Sequence, residues 1–459
     1  MGPYLRWPRR IVWVSVTNAA LLTTVMAGCG SSSAAATGHQ PVVLHVLMEQ
    51  GNTPAVTQKF LATVKKGFEA RYPHIQVKLA TYPGTSTSTT IDTMIASHHG
   101  PNVFEIGTTF IPTLTASRAF VPWSRAMLQT AHAQELVPAS THMDYVPGHR
   151  PIGLPDSAEP FVLWYNKAMF KAAHIVHPPT TWSAFIADAK KLTHPSQGVW
   201  GAAIAPADPF YSMHITWLLS RQMGGSVLNG GGTHAQFASP KVATAVRFYV
   251  DMLKTFHVVS PADVQYTEQD MISAFMQGKA AMVPVGGLYD LSQLHANPAF
   301  LKHDVGAAPN PTVPYGLSHV PKGAVPAESF ISGQEQVIFK YSSSPAQVAA
   351  ATKWIGYYDS PSVQYRMWKV YGALPVNQRV YTKPALSSPL WKGFETIEKH
   401  SYPTPRVPGW LTMPTVYDKN LATVFDDIAL HKYAAGQLMR TLRSVDSQID
   451  SAIAGLKTP

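Results

Sequence analysis

Between residues 42 and 106 the spacing of apolar side chains changes period repeatedly, and those changes dictate a strand–helix–strand order. Val42–Met48 (VVLHVLM) is a nearly continuous apolar run, the pattern of a parallel strand buried on both faces. Thr53 with Pro54 supplies a helix start. Val56, Phe60, Val64 and Phe68 then recur every four residues as one apolar stripe. After the Tyr72-Pro73 break, Ile75, Val77 and Leu79 alternate as a strand; Ile91, Met94 and Ile95 predict a second helix and Asn102–Ile106 a third strand. This order predicts an open α/β sheet, in which ligands sit outside the carboxyl ends of the strands. The loops at those ends, Glu49-Gln50-Gly51-Asn52 and Gly107-Thr108-Thr109, are the first candidate site loops, with Glu49, Gln50, Thr108 and Thr109 as contacts.

A chain of 459 residues has room for two domains, and 46% apolar with 14% charged residues is globular composition. The balance of 36 Lys and Arg against 26 Asp and Glu gives a net charge of +10, but basic residues never run longer than two. A nucleic-acid surface would cluster them, so none is expected here. The N-terminus reads as an export signal over residues 1–28, with Arg6, Arg9 and Arg10 ahead of the short apolar stretch Ile11–Val25. Met26-Ala27-Gly28-Cys29 resembles a bacterial lipobox, with Met where Leu is usual; that resemblance makes Cys29 a lipidation site. Cys29 is the only cysteine, so no intrachain disulfide can form. Residues 29–41 read as a lipid-anchored flexible tether built on the small-residue stretch Gly30–Gln40 (GSSSAAATGHQ).

Further along, Phe161–Tyr165 is an apolar, aromatic strand followed by a short helix at Lys167–Ala173, and Pro-Pro-Thr-Thr-Trp182 opens the next helix. Gly198–Ile204 reads as a strand, Phe210–Met223 as an aromatic-rich helix, and Ser239-Pro240 starts a long helix. Leu438, Leu442, Val445, Ile449 and Ile453 predict an amphipathic C-terminal helix. Several of these stretches resemble those of extracellular solute-binding proteins, the capture subunits of ABC importers. Val162-Leu163-Trp164-Tyr165-Asn166-Lys167 and the Pro179–Leu192 segment are similar to recurrent segments of that family. So are Ala274-Phe275-Met276-Gln277-Gly278-Lys279-Ala280-Ala281-Met282 and Tyr371-Gly372-Ala373-Leu374-Pro375-Val376, in the family's order across residues 42–453.

The resemblance implies a two-lobed α/β architecture, the type II periplasmic-binding-protein-like fold, with a ligand cleft between the lobes. The expected lobes are 42–150 with 283–343, and 151–282 with 344–459. It further implies an extracellular or periplasmic, lipid-anchored monomer that captures a carbohydrate or sugar-like polyol and delivers it to permease subunits by cleft closure. Gly287 and Tyr289 stand where relatives place ligand-facing groups, and Ser332-Gly333 where they carry a close-approach glycine pair. Arg406 lies near an arginine that glycerol-3-phosphate-binding relatives use against phosphate. Ser86, Thr108 and Ala373 depart from that subgroup's ligand residues, so only Arg406 carries over.

For the chemistry, no GxxxxGK[ST], HExxH, CxxC or GxSxG occurs, and no cofactor or metal is expected. Sugar recognition needs aromatic faces beside planar polar partners. Asp156 and Glu159, on the polar lip ahead of the Phe161–Tyr165 strand, join Phe210, Tyr211 and Trp410 as candidate contacts, while Trp123 and Trp217 are further stacking candidates. Trp164 and Trp182 read as packing. Glu49, Asp156, Glu159 and Glu328 would also suit an exported carbohydrate-active enzyme, and a ligand-sensing surface lipoprotein is the third reading.

Overall fold

A computed structural model of the chain describes residues 40–51, 54–141, 143, 146–287, 297–407, 410 and 412–455. The expected signal segment, Cys29 and Tyr289 lie outside the described residues. Strand β1 (Val42–Glu49) pairs in parallel along its whole length with β2 (Ile75–Tyr82), from Val42 opposite Ile75 to Glu49 opposite Tyr82. On its other side β1 meets β3 (Val103–Gly107), also in parallel. Two further strands complete a mixed five-stranded sheet in the order β2-β1-β3-β10-β4. They are β4 (Gly153–Pro155) and β10 (Gln334–Ile338), which runs antiparallel to both β3 and β4.

Leu44, Val46 and Met48 point from β1 into the core under the helices Pro54–Arg71 and Pro345–Tyr358, where Phe60, Phe68 and Trp354 meet them. His45 between them is exposed, so β1 is buried on one face along much of its length rather than on both. Phe104, Ile106 and Val337 project to a second core with Ile91, Leu114 and Phe120. The helix Pro54–Arg71 buries Thr57, Phe60, Leu61, Val64 and Phe68, a stripe that alternates steps of three and four. Val56, expected on that stripe, lies at its edge and is exposed.

A second, antiparallel sheet has the order β7-β6-β8, with β6 (Val162–Asn166) between β7 (Met282–Gly286) and β8 (Val305–Ala308). Around it gather the helices Trp182–Leu192, Pro209–Gln222, Pro240–Lys254 and Glu268–Met276, joined by Thr412–Ala429 and Gln437–Gly455. The C-terminal helix buries Leu438, Leu442, Val445, Ile449 and Ile453, the five positions its period predicts. Gly198–Ile204 forms no strand; its buried backbone instead bonds singly to neighbours, Ala202 N–H to Val258 O and Ala203 N–H to Met282 O.

A small sheet, β11-β9-β5, joins the two assemblies through β5 (Glu159–Pro160), β9 (Ser329–Ser332) and β11 (Ser401–Pro403). The chain passes from β4 through β5 to β6, and from β9 through Gly333 into β10. A third passage follows the helix Pro361–Tyr371, which packs on Pro54–Arg71; Leu374 bonds across to Ala158, and the later helix Pro389–Lys399 packs against β5, β8 and β9. The expected lobe boundaries do not follow this packing. β7 at Met282–Gly286 pairs in the second sheet, and the helices Pro345–Tyr358 and Pro361–Tyr371 pack with the first sheet's helices.

Candidate functional site

The parallel register brings several chain turns to one sheet edge. Glu49 ends β1, Tyr82 ends β2 and Gly107 ends β3, while Gln334 starts β10 opposite Gly107 and Asp156 follows β4. Outside this edge opens a cavity of about 470 Å³, within the size range of small-molecule sites. Its walls come from both assemblies: Thr57, Thr87, Ser88, Tyr358 and Tyr371 on one side, and Glu159 and Phe210 on the other. The position agrees with the rule that ligands of open α/β sheets lie beyond the carboxyl ends of strands.

Each acidic side chain at this edge is held by identifiable contacts or shape. Glu49 donates its own N–H to Glu105 Oε2 at 2.7 Å, and its Oε2 accepts from Gln334 Nε2 at 3.2 Å. A Cβ on Gly84 would lie 2.3 Å from Glu49 Oε1, so that carboxylate rests against bare backbone. Asp156 Oδ2 accepts from Gln336 Nε2 at 3.0 Å, and Gln336 in turn accepts from Trp354 Nε1 at 2.9 Å. Glu159 sits opposite Ser332 in the joining sheet. A Cβ on Gly333 would come within 2.1 Å of Ser157 O, so only glycine lets the two crossing segments approach this closely.

Burial away from water raises every one of these carboxyls. For Glu105 burial acts first and the adjacent Asp156 charge adds to it; the Glu105 and Asp156 side chains hydrogen-bond to each other, as a pair sharing a proton does. Asp156 is pushed up to about 6 by burial, against the hydrogen bonds that favour its charged form. Glu159 reaches about 7 through burial first and then the charges of Glu49 and Asp156. Glu49 is raised by burial and partly restored by Gln334. Among the described residues no Lys, Arg or His lines the cavity.

Eight of the candidates read from sequence line this cavity: Glu49, Thr108, Thr109, Asp156, Glu159, Phe210, Ser332 and Gly333. The other candidates among the described residues sit elsewhere. Gln50 is spent on backbone pairing, its N–H donating to Tyr82 O, and does not line the wall. Tyr211 is 1% exposed and donates to Pro284 O. Trp410, also buried, meets His214 edge-on in the core. Gly287 offers no free backbone: its N–H bonds to Glu268 and its carbonyl accepts from Trp164 Nε1. Arg406, half-buried beyond β11, is not part of the wall, and neither is Glu328. Trp123, Trp164, Trp182 and Trp217 are all core residues.

Phe210 reaches the wall because a stack behind it fixes its place. Phe161 lies 3.8 Å from Phe330 between ring centres, Phe330 stacks on His214, and His214 contacts Phe210 at 3.9 Å. Burial lowers His214 to about 3, so it serves that stack as a neutral ring. Residue-by-residue reading missed Glu105, which is embedded in the apolar strand Val-Phe-Glu-Ile-Gly, and Thr57, which shares its helix with a hydrophobic stripe. A lone acid inside a buried strand was the available signal for Glu105.

No helix among the described residues is long and apolar enough to cross a membrane. A binding protein of Brucella abortus (strain 2308) is 21% identical over 393 residues, 83% of this chain and 88% of its own length. The maltodextrin-binding protein MdxE of Bacillus subtilis (strain 168) is 25% identical over 286 residues, 60% of this chain and 61% of its own. Among solved structures, maltose-bound MalE3 of T. maritima superposes with a TM-score of 0.73 at 21% identity, over 90% of this chain and all of the other. That likeness bears out the two-lobed fold with a cleft between lobes. The profile of bacterial extracellular solute-binding proteins matches residues 50–365, well over half of the chain and all of the sheet edge just described except Glu49. The chain therefore belongs to the bacterial extracellular solute-binding protein family.

Proposed function

We propose that this protein is the substrate-binding subunit of an ABC importer and that its cargo is a carbohydrate or sugar-like polyol. The observation that carries this reading is the cavity between the two assemblies, where hydroxyls and carboxyls surround an aromatic wall. Ring hydroxyls find acceptors in Glu49, Glu159 and Gln334 and two-way partners in Thr108, Ser88 and Ser332, while an apolar sugar face can rest on Phe210. The names of the relatives, which speak of maltodextrin and maltose, support the same ligand class.

In this reading Glu49, Thr108, Thr109, Asp156, Glu159, Phe210, Ser332 and Gly333 contact the solute. One lobe is the five-stranded sheet with its helices, including Pro345–Tyr358 and Pro361–Tyr371; the other gathers around β6–β8 and includes the C-terminal helices. Solute contacts from both lobes favour a closed form, which the permease recognises. The chain catalyses nothing itself, works outside the cytoplasmic membrane as a monomer, and is held there through lipidated Cys29. Calorimetric titration across neutral sugars, oligosaccharides and polyols tests the assignment. Saturable binding of at least one member is expected, and a flat response to the whole panel, including amine-bearing members, overturns it.

A further inference from the structure

We infer that the solute received by this cavity carries a positive charge: it is a sugar or polyol bearing a protonated amine. The inference rests on the solute-binding reading above and narrows its ligand class. Its first support is the contrast between chain and cavity. The chain has a net charge of +10, yet its cavity gathers Glu49, Glu105, Asp156 and Glu159 and, among the described residues, no basic side chain. Buried carboxylates without a cationic partner repel one another and lose hydration, a cost that a bound cation removes.

The second support is independent of charge. Gln334 spends its Nε2 on Glu49, which leaves Gln334 Oε1 buried with no donor. Thr57, only 5% exposed, and the Tyr371 hydroxyl face each other on the cavity wall, and neither has any other hydrogen-bond partner among the described residues. A buried acceptor, Gln334 Oε1, is therefore left without a donor beside the four carboxyls, and an ammonium brings three donors with its charge. A metal ion does not answer the same need. Among the described residues no group of three or more His, Cys, Asp or Glu is arranged to hold one. Phe210 adds an aromatic face, on which a cation is also favoured.

Binding of such a solute is linked to protons. The titratable groups facing the cavity are Glu49 from β1, Glu105 from β3, Asp156 and Glu159 from the first crossing, and Tyr358 and Tyr371 from the helices opposite, while Tyr82 of β2 is packed behind them with its hydroxyl on the Glu105 carbonyl. An ammonium among them favours the ionised carboxyls, so capture near neutral pH releases protons.

The test is calorimetric titration of the wild-type chain at neutral pH with matched pairs: glucosamine against glucose, fully deacetylated chitobiose against cellobiose, and 1-amino-1-deoxyglucitol against glucitol. The amine should bind about tenfold or more tighter in at least one pair. Its heat should differ between phosphate and Tris buffers as released protons are taken up, and N-acetylation should erase the gain. Neutral members that bind as well as their amines, without buffer dependence, overturn this inference and leave the carbohydrate reading standing. Silence from every member of both series overturns the carbohydrate reading and this inference with it.

Discussion

Glu159 is the side chain whose surroundings oppose its charge most plainly. It is partly buried, faces Glu49 and Asp156, and its pKa is about 7. In an unfolded chain the same carboxyl titrates near an ordinary glutamate value, so between the two pH values the folded form holds more protons. Stability from this group is present at low pH and is lost as pH rises through about 7; Asp156, pushed up to about 6, acts in the same direction. The melting temperature of the ligand-free protein should accordingly fall from about pH 5 to about pH 8, and Glu159→Gln should flatten that fall. A melting curve series that rises over this interval contradicts the assignment. At this scale the sequence was informative about loops and poor about walls. Glu49, Thr108 and Asp156 follow strand ends, where polar residues announce a site. Glu105 and Thr57 hide inside elements whose period is set by the core.

Among the secondary-structure elements, the helix Pro209–Gln222 shows how a buried polar residue locks neighbours together. Gln222 accepts from Trp182 Nε1 at 2.7 Å and donates to the carbonyls of Pro311 and Ala327, so every polar group in that knot has a partner. Gln222→Leu keeps the volume but strands one indole N–H and two carbonyls. It should cost about 2–4 kcal/mol of stability, read by denaturant unfolding. Helices were the most legible elements, because a stripe of apolar residues is local information. The C-terminal helix matched its period residue for residue, and Pro54–Arg71 deviated only at Val56. The joining sheet was not legible in the same way: Glu159 finds Ser332 across more than 170 residues, and neither strand is long enough to show a period of its own. The same remoteness explains the misplaced lobe boundaries, since nothing local in Met282–Gly286 says which sheet it completes.

For the whole molecule, the proposed closure would turn on the segments that cross between the two assemblies. Gly333 lies between β9 and β10 against the backbone of Ser157, with Asp156 N–H bonded to Gln334 O at 2.9 Å alongside. A Gly333→Val side chain would force these segments apart. We expect weaker solute binding than in the wild type, and loss of the decrease in radius of gyration that small-angle scattering should register when the wild type binds. Unchanged affinity in a folded Gly333→Val protein would remove this crossing from the closure mechanism. Two-lobed organisation could be read from motif order alone, but the allocation of segments to lobes required the packing itself.

The placement of β10 also bears on how such a chain is made. This strand occupies the interior of the five-stranded sheet, between β3 and β4, yet it begins only at Gln334. Until that residue is available, β3 has an open edge and β4 has no partner, so the N-terminal assembly cannot finish early while the rest is still being synthesised. The second assembly waits longer, because Thr412–Ala429 and Gln437–Gly455 close its core. A protein threaded this way stays incompletely folded through most of its synthesis. For the export proposed above, that delay would mean no finished lobe has to be unfolded before the chain passes through a membrane.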